Sequence, residues 1–321
     1  MLCSFRYGAF CPGGNIIKRL YAIFFSVLFL IFILSALPSC GKIGGVPVFD
    51  GADAYKYLVE QCEIGPRVPG SPEHAKVQRY IVDRLNEFGA NVSLQPFDAV
   101  LTTGDTLHLV NIIGNYNLKA KKRILIGAHY DTRPRADRDP NPANRNKPIP
   151  GANDGASGVA VMLEMAKIFK EHKPPVGVDI LFIDGEDYGV DGVPQDYILG
   201  SKYFASHLKG YKPFVVIILD MIGDADLSIG VEGLSSAASP RVCREILDIA
   251  KGLDIKSFTD KPTPSLIDDH LPFIQAGLNA VDLIDFDYPY WHTMQDTPDK
   301  CSPQSLEDVG NVVLHFIWSK R

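Results

Sequence analysis

Apolar and polar positions along this chain follow two periods. SPEHAKVQRYIVDRLNEFG, residues 71–89, places Val77, Tyr80, Ile81, Leu85 and Phe88 at helical spacing. Ser71 is a candidate cap, Pro72 suits the first turn and Gly89 is a stop. NVSLQPFDAV (91–100) and TLHLVNIIG (106–114) read as strands, expected to be antiparallel neighbours. RILIGAH (123–129), VGVDILFID (176–184) and PFVVIILDMIG (213–223) are apolar almost throughout, as in strands covered on both faces. LNAVDLIDF (278–286) is a further strand. Helical patterns lie at 155–172, 196–208, 239–253 and 302–320, and a Pro-, Asn- and Arg-rich loop covers 132–150. Interleaved strands and helices predict a single α/β domain with a central mixed, mostly parallel sheet flanked by helices.

The first forty residues follow another pattern. Lys18 and Arg19 precede LYAIFFSVLFLIFILSA, residues 20–36, which reads as a signal peptide or a membrane-anchor helix. LPSC follows and resembles a bacterial lipoprotein signal, with Cys40 as the lipidated residue; Pro38 is unusual there and keeps a retained helix open. Either reading sends the remainder out of the cytoplasm, to the periplasmic side of a bacterial membrane. Residues 1–40 are therefore expected to be the signal or anchor, 41–50 a spacer and 51–321 the folded domain.

Composition narrows the function classes. Of 321 residues 46% are hydrophobic and 22% charged, as in ordinary globular proteins, and the net charge of −6 argues against nucleic acid as a partner. Six cysteines are present, and Cys62, Cys243 and Cys301 follow the anchor, leaving room for one disulfide and a free thiol whose pairing spacing does not assign. No CxxC pair or Cys/His cluster points to a cysteine-ligated zinc.

The chemistry gathers where the buried strands end. His129 and Asp131 close one strand, Asp184, Glu186 and Asp187 another, and Asp220 a third; Asp154 opens a helix and His292 follows the last strand. In open α/β sheets, ligands bind beyond the carboxyl ends of the strands. A lone acid there is commonly solvated or caps a helix, and a lone histidine packs in a core. Two histidines with four or five carboxylates suit a catalytic zinc with an open position. Thr293 and Asp296 are expected to orient the His292 ring. Glu186 and Asp187 are neighbours, so in an extended segment they point opposite ways; they are either solvent-facing loop acids or two carboxylates with two jobs at the end of a buried strand.

Eight segments occur in order: GPRVPGSPEHAKVQRYI, GAHYD, GANDGASGVAVMLEMA, FIDGEDYG, LGSKYFA, VIILDMIGD, DDHLPFIQAG and YWHTMQD. Together they resemble the zinc aminopeptidase-like fold and, through DDHLPF and WHTM, its glutaminyl cyclase branch of animal type. The resemblance runs from about Gly65 to the C-terminus. It implies one zinc on Asp154, Asp187 and His292, Glu186 as general acid/base, Asp220 and Asp268 in a carboxylate group with it, and Trp291 lining the substrate pocket. The substrates it implies are peptides or proteins with N-terminal glutamine, closed to pyroglutamate with release of ammonia. The alternative is a two-zinc aminopeptidase in which His129 and Asp220 join Asp154, Asp187 and His292, with Asp154 bridging. A non-catalytic binding module is the third reading. Three departures from the branch stand out: Asp187 where Glu is usual, Gly192 in place of a mouth aromatic, and another aromatic replaced near Asp287. Asp285 and Asp287 are expected to make the mouth acidic.

Overall fold

Three apolar segments form the middle of the sheet because neither face of them meets water. In the computed structural model, which describes residues 42, 43 and 45–321 together with Ser4 and Gly8, these are β3 (Arg123–His129), β4 (Gly177–Ile183) and β5 (Val215–Asp220). Before them come β1 (Asn91–Val100) and β2 (Thr106–Tyr116), and after them β6 (Ala280–Ile284). The strand order is β6-β5-β3-β4-β2-β1. β6, β5, β3 and β4 run parallel, while β2 pairs antiparallel with β4 and with β1. The mixed, mostly parallel sheet expected from the sequence is thus observed. The apolar run 20–36 and Cys40 lie outside the described residues. Among the described residues no helix is long and apolar enough to cross a membrane.

Alternation along the strands divides the core into two layers. Ile124, Ile126, Val178, Ile180, Phe182, Val215 and Ile217 share one cluster with helices α1 (Gly51–Ile64), α2 (Pro72–Glu87), α3 (Ala156–Glu171) and the closing helix Pro303–Trp318. Leu125, Leu181, Ile183, Val216 and Ile218 point the other way, onto α4 (Leu199–Ser206) and the short helix His270–Gln275. Each such side chain contributes roughly 1.5–3 kcal/mol by leaving water. Helix α3 is buried along most of its length, between β3, α1 and the closing helix.

Caps set the helix starts. Ser71 accepts from the His74 amide, as its position suggested, and Asp50 and Ser302 cap α1 and the closing helix in the same way. The 41–50 stretch, expected to be a spacer, packs at its end: Phe49 is buried against Gly310, where a Cβ would stand 2.3 Å from its ring. The pattern at 196–208 yields a helix only from Leu199, because Ile198 adopts a left-handed conformation and Asp196 turns its carboxylate onto the Thr102 amide and hydroxyl. Cys62, Cys243 and Cys301 are all free thiols.

Candidate active site

Every predicted catalytic, metal-ligating and substrate-binding residue comes to the carboxyl edge of the parallel strands. His129 ends β3, Asp220 ends β5, and Glu186 and Asp187 follow β4 through a turn at Gly185. Gly185 has φ of +69°, the left-handed region where glycine carries no Cβ penalty. Asp154 precedes α3, Asp268 precedes the short helix at His270, and Trp291 and His292 follow β6. Asp154, Glu186, Asp187, Asp220, Asp268, Trp291 and His292 line one cavity of about 410 Å³.

Buried acids aim these loops. Asp131 accepts the amides of Glu186 (3.1 Å) and Asp187 (3.3 Å), which fixes the turn bearing both. Asp296 accepts the amides of Asn153 (2.8 Å) and Asp154 (3.3 Å) and the Tyr288 hydroxyl. Asp296 therefore sets Asp154 rather than the His292 ring, contrary to the expectation from WHTMQD, and the Thr293 hydroxyl is turned to the Tyr290 carbonyl. The residue facing Nδ1 of His292 is Asp137, at 3.6 Å, from the 132–150 loop. Asp137 is gripped by the buried Arg133, whose Nη1 also donates to Asp187 Oδ1 at 2.7 Å. Arg67, likewise buried, donates to the carbonyls of Tyr130, Pro150 and Gly151 and ties the Asp154 loop to β3. Arg67 stands inside the quoted GPRVPG segment; Arg133 and Asp137 had no signal beyond their place in an Arg-rich loop.

Among the described residues, two groups have the donor types and spacing for a metal: Asp154 with Asp187 and His292, and His129 with Asp154 and Asp220. In the first, His292 Nε2 stands 3.5 Å from Asp154 Oδ2 and 3.3 Å from Asp187 Oδ2. Both carboxylate oxygens are buried without a hydrogen-bond partner. Buried polar atoms ordinarily have partners, so two open carboxylate oxygens converging on an imidazole nitrogen fit a divalent cation such as zinc. In the second group His129 Nε2 hydrogen-bonds Asp220 Oδ1 at 3.2 Å and lies 3.3 Å from Asp154 Oδ1. Gly155 makes room for this ring: a Cβ there would stand 2.4 Å from His129 Nε2.

Charge is arranged unevenly. Burial opposes protonation of His292, but Asp187, Asp137 and Asp154 outweigh it and raise its pKa to about 9. Burial pushes the Asp187 carboxyl up, yet His292 and Arg133 bring it below the usual carboxylate range. Glu186 is pushed well above its ordinary value by burial and then by Asp187, Asp268 and Asp269. Asp268 rises to about 6 through burial and then the nearby Asp220.

The mouth departs from expectation. Asp285 is buried and caps the amides of Ser228 and Asp287, facing a separate cavity with Asp287. Phe286, between them, faces the site instead and packs 5.1 Å from the Trp291 ring. The final loop thus keeps an aromatic residue at the mouth, while Gly192 contributes only backbone to the opposite wall.

Peptidase family M28 matches residues 111–317, the span that carries the sheet beyond β1 and nearly all of the site. The chain belongs to this family. It is 25% identical over 282 residues to a Bos taurus glutaminyl-peptide cyclotransferase-like protein, covering 78% of this chain and 71% of the relative. The structure of Bacteroides thetaiotaomicron glutaminyl cyclase bound to N-acetylhistamine is similar at 37% identity and a TM-score of 0.83, over 86% of this chain and 100% of that one. A leucine aminopeptidase precursor from the same organism is similar at 38% identity and a TM-score of 0.84, over 86% and 99%. The two structures are thus about equally similar, while the sequence relatives from Bos taurus and, at 25% identity over 78% of this chain and 76% of the relative, from Drosophila melanogaster carry glutaminyl-peptide cyclotransferase names, which favours that chemistry.

Proposed function

We propose that this M28 protein is a glutaminyl-peptide cyclotransferase that closes the N-terminal glutamine of peptides to pyroglutamate and releases ammonia, using one zinc held by Asp154, Asp187 and His292. The observation that carries the reading is the open pair Asp154 Oδ2 and Asp187 Oδ2 beside His292, set against a His129 already hydrogen-bonded to Asp220. The named cyclotransferase and cyclase relatives support it.

Zinc, when bound, supplies Lewis-acid polarisation of the side-chain carboxamide. The cavity holds the glutamine with its α-amine toward Glu186, and Trp291 and Phe286 form the apolar wall that excludes water. Glu186 accepts a proton from the amine as the new N–C bond forms, and returns one to the departing nitrogen as the old C–N bond breaks. Its raised pKa suits both halves of that transfer. The neighbouring Asp187, Asp268 and Asp269 add to burial in raising the Glu186 pKa, so that a proton taken up there is held rather than lost.

Purified protein incubated with a Gln-initiated peptide and, separately, with a leucyl amide tests the activity. Ammonia from the first without leucine from the second is expected; leucine release would establish the aminopeptidase.

The anchor reading rests on Lys18, Arg19, the apolar run 20–36 and Cys40, and places the catalytic unit on the periplasmic side of a bacterial membrane. The intact mass of the membrane-extracted protein separates the two: a chain that begins at a lipid-bearing Cys40 indicates lipidation, and one that retains residues 20–36 indicates a helix. Full-length wild-type protein found in the cytosol contradicts both.

A further inference from the structure

We propose that Arg133 and Asp137 are positioning residues that join two metal ligands, Asp187 and His292, into one unit. The proposal rests on the one-zinc reading and concerns what keeps that set of ligands in place.

Arg133 is fully buried in a loop without regular structure. A guanidinium in that position is costly unless its charge and donors are matched. Its fork is divided between two carboxylates: Nε and Nη2 donate to Asp137 Oδ1 and Oδ2 at 3.0 and 2.5 Å, and Nη1 donates to Asp187 Oδ1 at 2.7 Å. Nη2 also reaches the hydroxyl of Tyr197, in the cavity wall, at 3.1 Å.

The consequence for Asp187 is that its two oxygens are unlike. One is occupied by Arg133, and the other is left open, 3.3 Å from His292 Nε2. The consequence for His292 concerns its other nitrogen. A histidine that ligates through Nε2 carries its proton on Nδ1 and needs an acceptor there. Nδ1 is buried without a hydrogen bond, and the acid facing it is Asp137. The same loop grips the backbone around the ligand, since the Arg138 amide donates to the His292 carbonyl and Asp139 accepts the Met294 amide.

Arg133 has a simpler alternative role, that of a counter-charge for buried acids, and a substitution separates the two. Arg133→Lys keeps the charge but not the fork, because one ammonium does not serve three carboxylate oxygens in fixed directions. Asp137→Asn keeps the shape and removes the anionic acceptor, and Asp137 is partly exposed, so the fold should tolerate it.

Metal-free wild type and both variants are titrated with zinc against a chelator of known affinity. Melting temperatures are recorded with and without zinc. Zinc affinity is expected to fall about 10- to 100-fold in each variant, the usual effect of losing a ligand's outer partner. The zinc-induced rise in melting temperature should shrink with it. A merely structural role lowers the zinc-free and zinc-loaded melting temperatures together and leaves that rise unchanged. Wild type that binds no zinc defeats the one-zinc reading itself. Wild type that binds zinc, with Asp137→Asn within threefold of it, overturns this proposal. If Asp137→Asn does not fold, Arg133→Lys decides by the same criterion.

Discussion

The two metal-capable groups found among the described residues share Asp154 and use the same residue types, yet they are prepared differently. Around His292, two carboxylate oxygens are buried and open, and the remaining oxygen of Asp187 is occupied by Arg133. Around His129, the ring nitrogen that would face a metal is in a hydrogen bond with Asp220. Residue identity therefore does not distinguish a one-metal from a two-metal site here; the hydrogen bonds already made by each donor do. A metal at the first group meets two carboxylate oxygens that make no hydrogen bond and displaces the His292 proton, whereas a metal at the second has to displace an existing hydrogen bond.

The largest expected effect comes from His292→Ala, which removes one of three ligands. Zinc content and ammonia release should both fall to background, and a variant that retains its zinc would break the comparison at its first term. Glu186→Gln comes next. It keeps size and shape but not the proton transfer, so turnover should drop by about 10²-fold or more while zinc is retained. Loss of zinc instead would mean that Glu186, not Asp187, faces the metal.

Zinc affinity should also depend on pH in a definite direction. In the metal-free protein the acids around His292 raise its pKa to about 9, so near neutrality zinc competes with a proton for that ring. Apparent affinity should rise with pH up to about 9, by at most about tenfold per unit for one displaced proton. It should level off above that, and a flat profile between pH 6 and 8 would remove His292 from the ligands. The smallest effect is reserved for His129→Gln: one zinc per chain is expected to remain and activity to change only a few-fold. A loss as large as that of His292→Ala would make the two groups equivalent.

The fold was legible wherever burial is continuous. RILIGAH and VGVDILFID have few polar positions, so their place in the middle of the sheet follows from composition alone. Helix α1 was not read as an element, because its buried positions, which include Gly51 and Gln61, give weak apolar contrast. The metal-capable residues were legible because strand ends gather chemistry in α/β sheets. The residues that aim them were not. Arg133 reaches Asp187 across 54 positions and Asp296 reaches Asp154 across 142, and no local period encodes either hydrogen bond. The same limit misassigned Asp296: nearness to His292 in sequence suggested a partner, while the folded chain turned its carboxylate to another loop. It also misdirected Asp285 and Asp287, since whether three consecutive residues face the site or turn from it depends on the loop's path and not on their identities.

In the proposed cyclotransferase, one zinc beside Glu186 suffices for cyclisation. Metal-free protein can be titrated with zinc while ammonia release from a Gln-initiated peptide and leucine release from a leucyl amide are followed in parallel. Ammonia release is expected to rise linearly and saturate at one zinc per chain, with no leucine released at any point. Saturation only at two zinc ions per chain, or leucine release accompanying the second, would contradict it.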